Sequence, residues 1–255
     1  MAREEVNSSW TLERRSDMDY FFARREDVQG KTLILRDDEF KHLAKVLRKN
    51  IGDHILVTDG DDNMFEAVIV SFDRSHAECD ILATKLRVNE PKTDVTLAVS
   101  LLRNPARLDF LVEKATELGV RTIIPLSCER TIPRHEKHSR LEKIALAAVK
   151  QSGRSYLPKI FTLTSFETLV GHSKDYSLRL IPHEKTEQSH FIGSVLQHYK
   201  RTQSVLLVIG PEGGFSEEEL TQAGDNGFVP ISLGPRRLRS ETAALSALSW
   251  VVAEW

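Results

Sequence analysis

A chain of 255 residues with 40% hydrophobic and 28% charged side chains can build one large core or two ordinary ones, which excludes an intrinsically disordered protein. Its formal net charge of -2 excludes wholesale basicity, although nucleic-acid binding depends on where charges lie and not on their sum. Two cysteines, Cys79 and Cys128, are too few for a disulfide framework and fit no zinc spacing, so a reducing cytoplasm and no bound metal are expected.

In chain order, Met1–Asp17 is polar and charged, lacks the apolar core of a signal peptide, and reads as a poorly ordered extension. No later stretch is apolar for long enough to span a bilayer, so no membrane partner is expected. Thr32–Leu35, Ile55–Thr58, Phe65–Phe72 and His76–Val88 read as strands. A helix is expected over Asp38–Arg48, where Phe40, Leu43, Val46 and Leu47 fall at helical spacing. Asn50–Asp53 and Asp59–Asn63 supply the turns. Short strands with one helix describe a small β-barrel or sandwich over 18–88, with Asn89–Thr93 as a linker to a domain over 94–255.

From there the rhythm changes. Val95–Leu101 is a strand, and Asn104 caps a helix that opens on Pro105 and stops at Gly119. Arg121–Leu126 is the next strand, and Ser139 with Glu142 forms a capping-box pattern for a helix through Ala148. Strands follow near Ile160–Leu163 and at Leu178–Ile181, then a helix at about Ser189–His198 and the strand Val205–Ile209. Ser216 and Glu219 form a second capping box, Phe228–Leu233 is the last strand, and Ser240 is expected to cap a largely buried final helix. This alternation predicts an α/β domain with a mostly parallel sheet flanked by helices.

Two loops stand out. Ile209-Gly210-Pro211-Glu212-Gly213-Gly214-Phe215 leaves a strand and enters a capped helix. Its glycines permit positive φ and close approach of a ligand, though the segment alone describes a tight strand-to-helix turn equally well. It is neither a Walker A loop nor Gly-x-Gly-x-x-Gly. Leu233-Gly234-Pro235-Arg236-Arg237-Leu238-Arg239-Ser240-Glu241-Thr242-Ala243 sets three arginines at a helix start, where anions are already favoured. The two loops converge if their strands are neighbours.

Together the loops resemble the SPOUT methyltransferases, and more narrowly the RsmE-type enzymes that methylate N3 of a uridine in small-subunit ribosomal RNA. Further blocks carry the narrower resemblance: Tyr20-Phe21-Phe22, His42 with Val46-Leu47-Arg48, Gly52-Asp53, Asp59-Gly60, Lys114–Val120, and Gln151–Arg154 with Pro158. The resemblance implies a PUA-like RNA-binding barrel followed by a SPOUT domain with a trefoil knot, acting as a homodimer on 16S rRNA of the small ribosomal subunit. It implies S-adenosylmethionine as cofactor, held by Leu180-Ile181-Pro182, by Ile209–Gly214 (Ile209, Gly210, Pro211, Glu212, Gly213, Gly214), and by Leu233, Gly234, Leu238, Arg239 and Thr242. Arg237 stands where the family has an aliphatic residue, and its side chain is expected to turn toward solvent or RNA.

From Arg121 to Lys159 nine Lys/Arg face three Glu, a local surplus suited to phosphates in a chain that is otherwise acidic. Arg130, Arg134, Gln151 and Arg154 are expected on RNA there, and Arg24, Arg25, His42 and Arg48 in the first domain. Either set reads equally as a solvated charged face. Methyl transfer to N3 requires stabilising charge on the uracil imide, for which Arg236 and Arg239 are the candidates, with Arg154 as a helper. Glu212 and Glu241 are the nearest candidate bases, though each reads equally as structural, Glu241 the more so in a helix's first turn, and the base stays unassigned. The rival readings are a SPOUT enzyme for another RNA or a ribose 2′-hydroxyl, and a non-catalytic RNA-binding ribosome-assembly factor.

Overall fold

The computed structural model describes residues 18–184, 186–199 and 202–253. Residues 1–17, expected as an extension, lie outside them. After Val88 the chain divides into two compact units, each with its own core.

The first unit is a six-stranded sheet of β1 (Tyr20–Phe22), β2 (Val28–Gln29), β3 (Thr32–Arg36), β4 (His54–Thr58), β5 (Asn63–Phe72) and β6 (His76–Leu86). Its order is β1-β4-β5-β6-β3-β2, with β1 parallel to β4 and every other neighbour antiparallel. Phe21, Leu33, Leu35, Ile55, Val57 and Ile69 bury one face together with Leu43 from the helical segment. That segment is not one α-helix: α1 (Asp37–Lys41) continues as a π-helical turn over His42–Val46. The loose alternation of β5 also has a local cause. Register shifts at Glu66/Ala67 and Ile69/Ser71 let Met64, Phe65, Glu66 and Ala67 all be buried in succession.

In the second unit, β7 (Asp94–Ser100), β8 (Thr122–Ser127), β9 (Lys159–Ile160), β10 (Thr164–Ser165), β11 (Leu178–Pro182), β12 (Ser204–Ile209) and β13 (Val229–Ile231) form one sheet with every pair parallel. The path is β10-β8-β7-β12-β11-β13, with β9 also on β8. The central strands β7 and β12 are buried along nearly their whole length, as a parallel sheet covered on both faces requires. Leu97, Val99, Leu207 and Ile209 face α2 (Pro105–Glu117), α3 (His138–Ser152), α5 (Ile192–His198) and α7 (Ser240–Val252). Ala98, Leu206 and Val208 face α4 (Phe166–Gly171) and the side of α6 (Glu217–Asp225) that carries Ala223. Among the described residues no helix is long and apolar enough to cross a membrane.

Two helix starts follow their sequence signals. Asn104 accepts from the Ala106 N–H ahead of Pro105, and Ser216 with Glu219 forms a complete capping box. Two differ. α3 begins at His138 with Lys137 as N-cap and no side-chain cap, and Glu142 pairs with His138 Nε2 at 3.3 Å instead of reaching back to Ser139. Arg239, not Ser240, holds the N-cap position of α7, so Ser240 is already helical. Of the expected strand Ile160–Leu163 only Ile160 is in a strand, the short β9; β10 follows it, and α4, capped by Ser165, is a further element.

Candidate active site

A cavity of about 580 Å³ opens beyond the carboxyl ends of β11, β12 and β13, where parallel α/β sheets place their ligands. Its walls are Pro182 and His183 after β11, Ile209–Phe215 after β12, and Ile231–Gly234 with Arg236–Ser240 around the end of β13. The strands of the two glycine loops are not neighbours, because β11 lies between them; the loops still converge because all three strands point the same way. Ser232 exchanges backbone bonds with His190 and Ile192, drawing the segment after β13 against the chain that follows β11.

The loop after β12 has a reason for each of its features. A Cβ on Gly210 would stand 2.9 Å from the Phe215 ring, so glycine there lets the loop fold back on that aromatic. Phe215 in turn packs on Phe166, 5.5 Å between centroids. Gly214 has φ +72 and donates to the Pro211 carbonyl at 2.9 Å, closing a turn that an L side chain would strain. The side-chain position of Gly210 is thus taken by Phe215, while the residue itself lines the cavity.

Charged groups ring the cavity. Arg236, Arg237 and Arg239 are exposed and line it. Leu238 lies half-buried between them. Arg130, expected on a separate RNA surface, lines the same cavity and donates from Nη1 to the Gly213 carbonyl at 3.0 Å. Glu212 accepts from the Arg103 N–H at 3.0 Å and so ties the loop to the segment ahead of α2. Arg107 lines both this cavity and an adjoining hollow of about 460 Å³. Sequence reading missed Arg107, and its position in the first turn of a helix whose neighbours include Arg103 was the available signal.

Several expected site residues lie elsewhere. Leu180 and Ile181 are buried in β11, one against each core face, and only Pro182 of that trio reaches the cavity. Thr242 is exposed outside it. Glu241 is buried and faces Arg107, 3.6 Å from Oε1 to Nε, while Oε2 has no hydrogen-bond partner among the described residues. It positions a cation at the cavity rather than lining it.

Arg154, expected on RNA, lies in the core. It is 1% exposed, bonds both oxygens of Glu90 at 2.6–3.2 Å, and donates to the carbonyls of Thr116 (2.7 Å) and Val120 (3.1 Å). It cannot meet RNA without unfolding its surroundings. The motif blocks Lys114–Val120 and Gln151–Arg154 therefore meet one another, with Glu90 completing the cluster through the N–H groups of Ser155 and Tyr156. Much of the local basic surplus is spent in the same way. Arg121 lies over the Tyr156 ring at 3.6 Å, and Arg140 binds Asp109 through two nitrogens. Arg134 and Gln151 remain exposed.

In the first unit Arg24 pairs with Asp37 and Arg25 with Asp61, both at the surface, while His42 and Arg48 are exposed, His42 beside Phe21. Both cysteines are free and buried, and burial pushes each thiol up to about 12, Cys128 with a further push from Glu219. Among the described residues no cluster of His, Cys, Asp and Glu is arranged to hold a metal ion.

Residues 89–252 match the model of an RNA methyltransferase domain, and residues 35–82 that of an RNA methyltransferase PUA domain. Ribosomal RNA small subunit methyltransferase E of Bacillus subtilis is 28% identical over 89% of this chain and 92% of its own. The protein of that name from Synechocystis is 30% identical over 96% of this chain and 82% of its own. The crystal structure of ribosomal RNA small subunit methyltransferase E from Neisseria gonorrhoeae, bound to S-adenosyl methionine, superposes with a TM-score of 0.81 at 30% identity, covering 91% of this chain and 95% of that one.

Proposed function

Since this chain belongs to the RNA methyltransferase family that includes ribosomal RNA small subunit methyltransferase E, we propose that it methylates N3 of a specific uridine in 16S rRNA, using S-adenosylmethionine. The observation that carries this reading is the cavity at the ends of β11, β12 and β13, with arginines gathered on its rim. The cavity suits the cosubstrate. Ile209, Ile231 and Leu233 give it an apolar floor, and an added Cβ at Gly214 or Gly234 would meet nothing within 4 Å, so main chain lies open there. Bound in it, S-adenosylmethionine supplies an electrophilic methyl group.

The chain's own residues would do the rest. Backbone of Ile209–Gly214 and Leu233–Gly234, with Pro182 and Leu238, would hold the cosubstrate. Arg236 and Arg239 would offset the charge that develops when N3 of the base gives up its proton to water, in a walled site where such attraction is stronger than in bulk water. Arg107, held by Glu241, would add a cation on the α2 side. Arg24, Arg25, His42 and Arg48 in the PUA domain, and Arg134 and Gln151 in the second unit, would meet the RNA backbone.

A homodimer and a trefoil knot belong to the same proposal. The exposed Phe110, Ile132 and Phe161 support the first, as apolar side chains for a partner to cover. The backbone bonds of Ser232 to His190 and Ile192, in the chain ahead of α7, support the second. The two free thiols support a reducing, cytoplasmic setting. Incubation with labelled cosubstrate and undermethylated small subunits, followed by mass mapping of the nucleosides, should yield labelled N3-methyluridine in 16S rRNA. Label on another base, on a ribose, or nowhere would overturn the reading.

A further inference from the structure

The capping box of α6 reaches further than its own helix. Glu219 is buried, and each carboxylate oxygen serves a different partner. Oε2 accepts from the Ser216 N–H at 2.9 Å, the usual reciprocal half of a capping box. Oε1 accepts from the Glu129 N–H at 2.8 Å, ninety residues away in the chain. That N–H belongs to the turn after β8, closed by the Thr131 N–H on the Cys128 carbonyl at 3.0 Å. The turn is pinned a second time from beneath: Thr131 Oγ1 accepts from the Cys128 N–H at 2.8 Å and shares a 2.7 Å hydrogen bond with Ser100.

What the turn presents is Arg130, the residue after Glu129, whose guanidinium donates to the Gly213 carbonyl inside the loop after β12. Its side chain also lies 3.4 Å from where a Cβ on Gly213 would stand. Glu219 therefore grips that loop at two points, directly at Ser216 and through Arg130 at Gly213. A helix cap needs only the first. The second bond spends a buried carboxylate oxygen on a distant turn, and the consequence of that bond is the placement of Arg130.

We propose that Glu219 is a positioning residue for cosubstrate binding, acting through the Glu129–Thr131 turn to hold Arg130 on Gly213 and so preorganise the Ile209–Phe215 loop. This rests on that loop's assignment to S-adenosylmethionine. Preorganisation lowers the ordering cost of binding, so its loss reads out as affinity.

The test is calorimetric titration of the full chain with S-adenosylmethionine for Glu219→Ala, Arg130→Ala, their combination, and Ser216→Ala. Losing one such hydrogen bond should weaken binding about fivefold in Arg130→Ala. Glu219→Ala should match it, and the double variant should be no weaker than either. Ser216→Ala, which removes the cap hydroxyl but leaves the Glu129 bond, should lower the melting temperature without changing affinity. Hydrogen exchange supplies a readout independent of the cosubstrate: the Glu129 amide should exchange faster in Glu219→Ala and in the milder Glu219→Gln, but not in Ser216→Ala. Wild-type affinity in Arg130→Ala, losses that multiply in the double variant, or an unchanged Glu129 amide would overturn the proposal. Failure of the wild-type chain to bind S-adenosylmethionine would instead overturn the cofactor assignment, leaving the exchange measurement to judge the coupling.

Discussion

Three arginines of one loop stand exposed at the cavity rim, and a fourth arginine lies in the core. Arg239 is exposed at the cavity rim and holds the N-cap position of α7 through its backbone alone. Arg239→Ala should therefore leave melting temperature and cosubstrate affinity near wild type while turnover falls about 100-fold or more, the usual cost of removing one preorganised charge donor. Turnover within a few-fold of wild type would remove Arg239 from the mechanism. Arg154 should behave in the opposite way. Its side chain is 1% exposed and that of Glu90 is 0% exposed, so removing the guanidinium strands a buried carboxylate. Arg154→Met should cost about 3–5 kcal/mol in urea denaturation, and adding Glu90→Gln should recover part of it. A variant that keeps its stability but loses RNA affinity would restore the reading of Arg154 as an RNA contact.

Caps show how far sequence patterns reach at the level of elements. Ser216-x-x-Glu219 and Ser139-x-x-Glu142 are equally good capping boxes on paper, yet only the first forms. The difference lies in the chain ahead of each helix. Phe215 is anchored in the core beside Ser216, whereas α3 begins two residues earlier than a Ser139 cap would set it, and His138 takes Glu142. Ser216→Ala should thus cost about 1 kcal/mol and Ser139→Ala less than about 0.5 kcal/mol in denaturant unfolding. Equal losses would mean that α3 shortens in solution to use Ser139. Strands were legible where apolar runs were long, as in β7 and β12. They were not legible at β9 and β10, each two residues long and held by the edge of β8. The glycine loops were legible as strand-to-helix turns because strand, glycines and cap followed one another in sequence. The interposed β11, the cavity-facing Arg130 and the clamp by Glu219 were not, because each depends on residues brought together from distant stretches.

At the scale of the whole molecule, the boundary between the units turns on one carboxylate. Composition places a linker over Asn89–Thr93, but Glu90 within it accepts from Arg154, Ser155 and Tyr156, and Asn89 Nδ2 donates to the Gly153 carbonyl. Arg154 in turn satisfies Thr116 and Val120 at the end of α2, so Glu90 is the hub through which the start of the second unit joins α2 to the end of α3. A Cβ on Gly119 would also collide with the Pro91 ring, so this stretch is packed against its own unit and not merely passing by. A chain beginning at Asn89 should therefore fold, while one beginning at Asp94 should lose the buried pair and be less stable by about 3–5 kcal/mol. Both lack the PUA domain and its arginines, so RNA affinity and its salt dependence should fall equally in the two. Cosubstrate affinity should survive in the first, because every wall of the cavity lies between Arg107 and Ala243. Denaturation midpoints that coincide would show that Glu90 is dispensable, and would return residues 89–93 to the role of a linker.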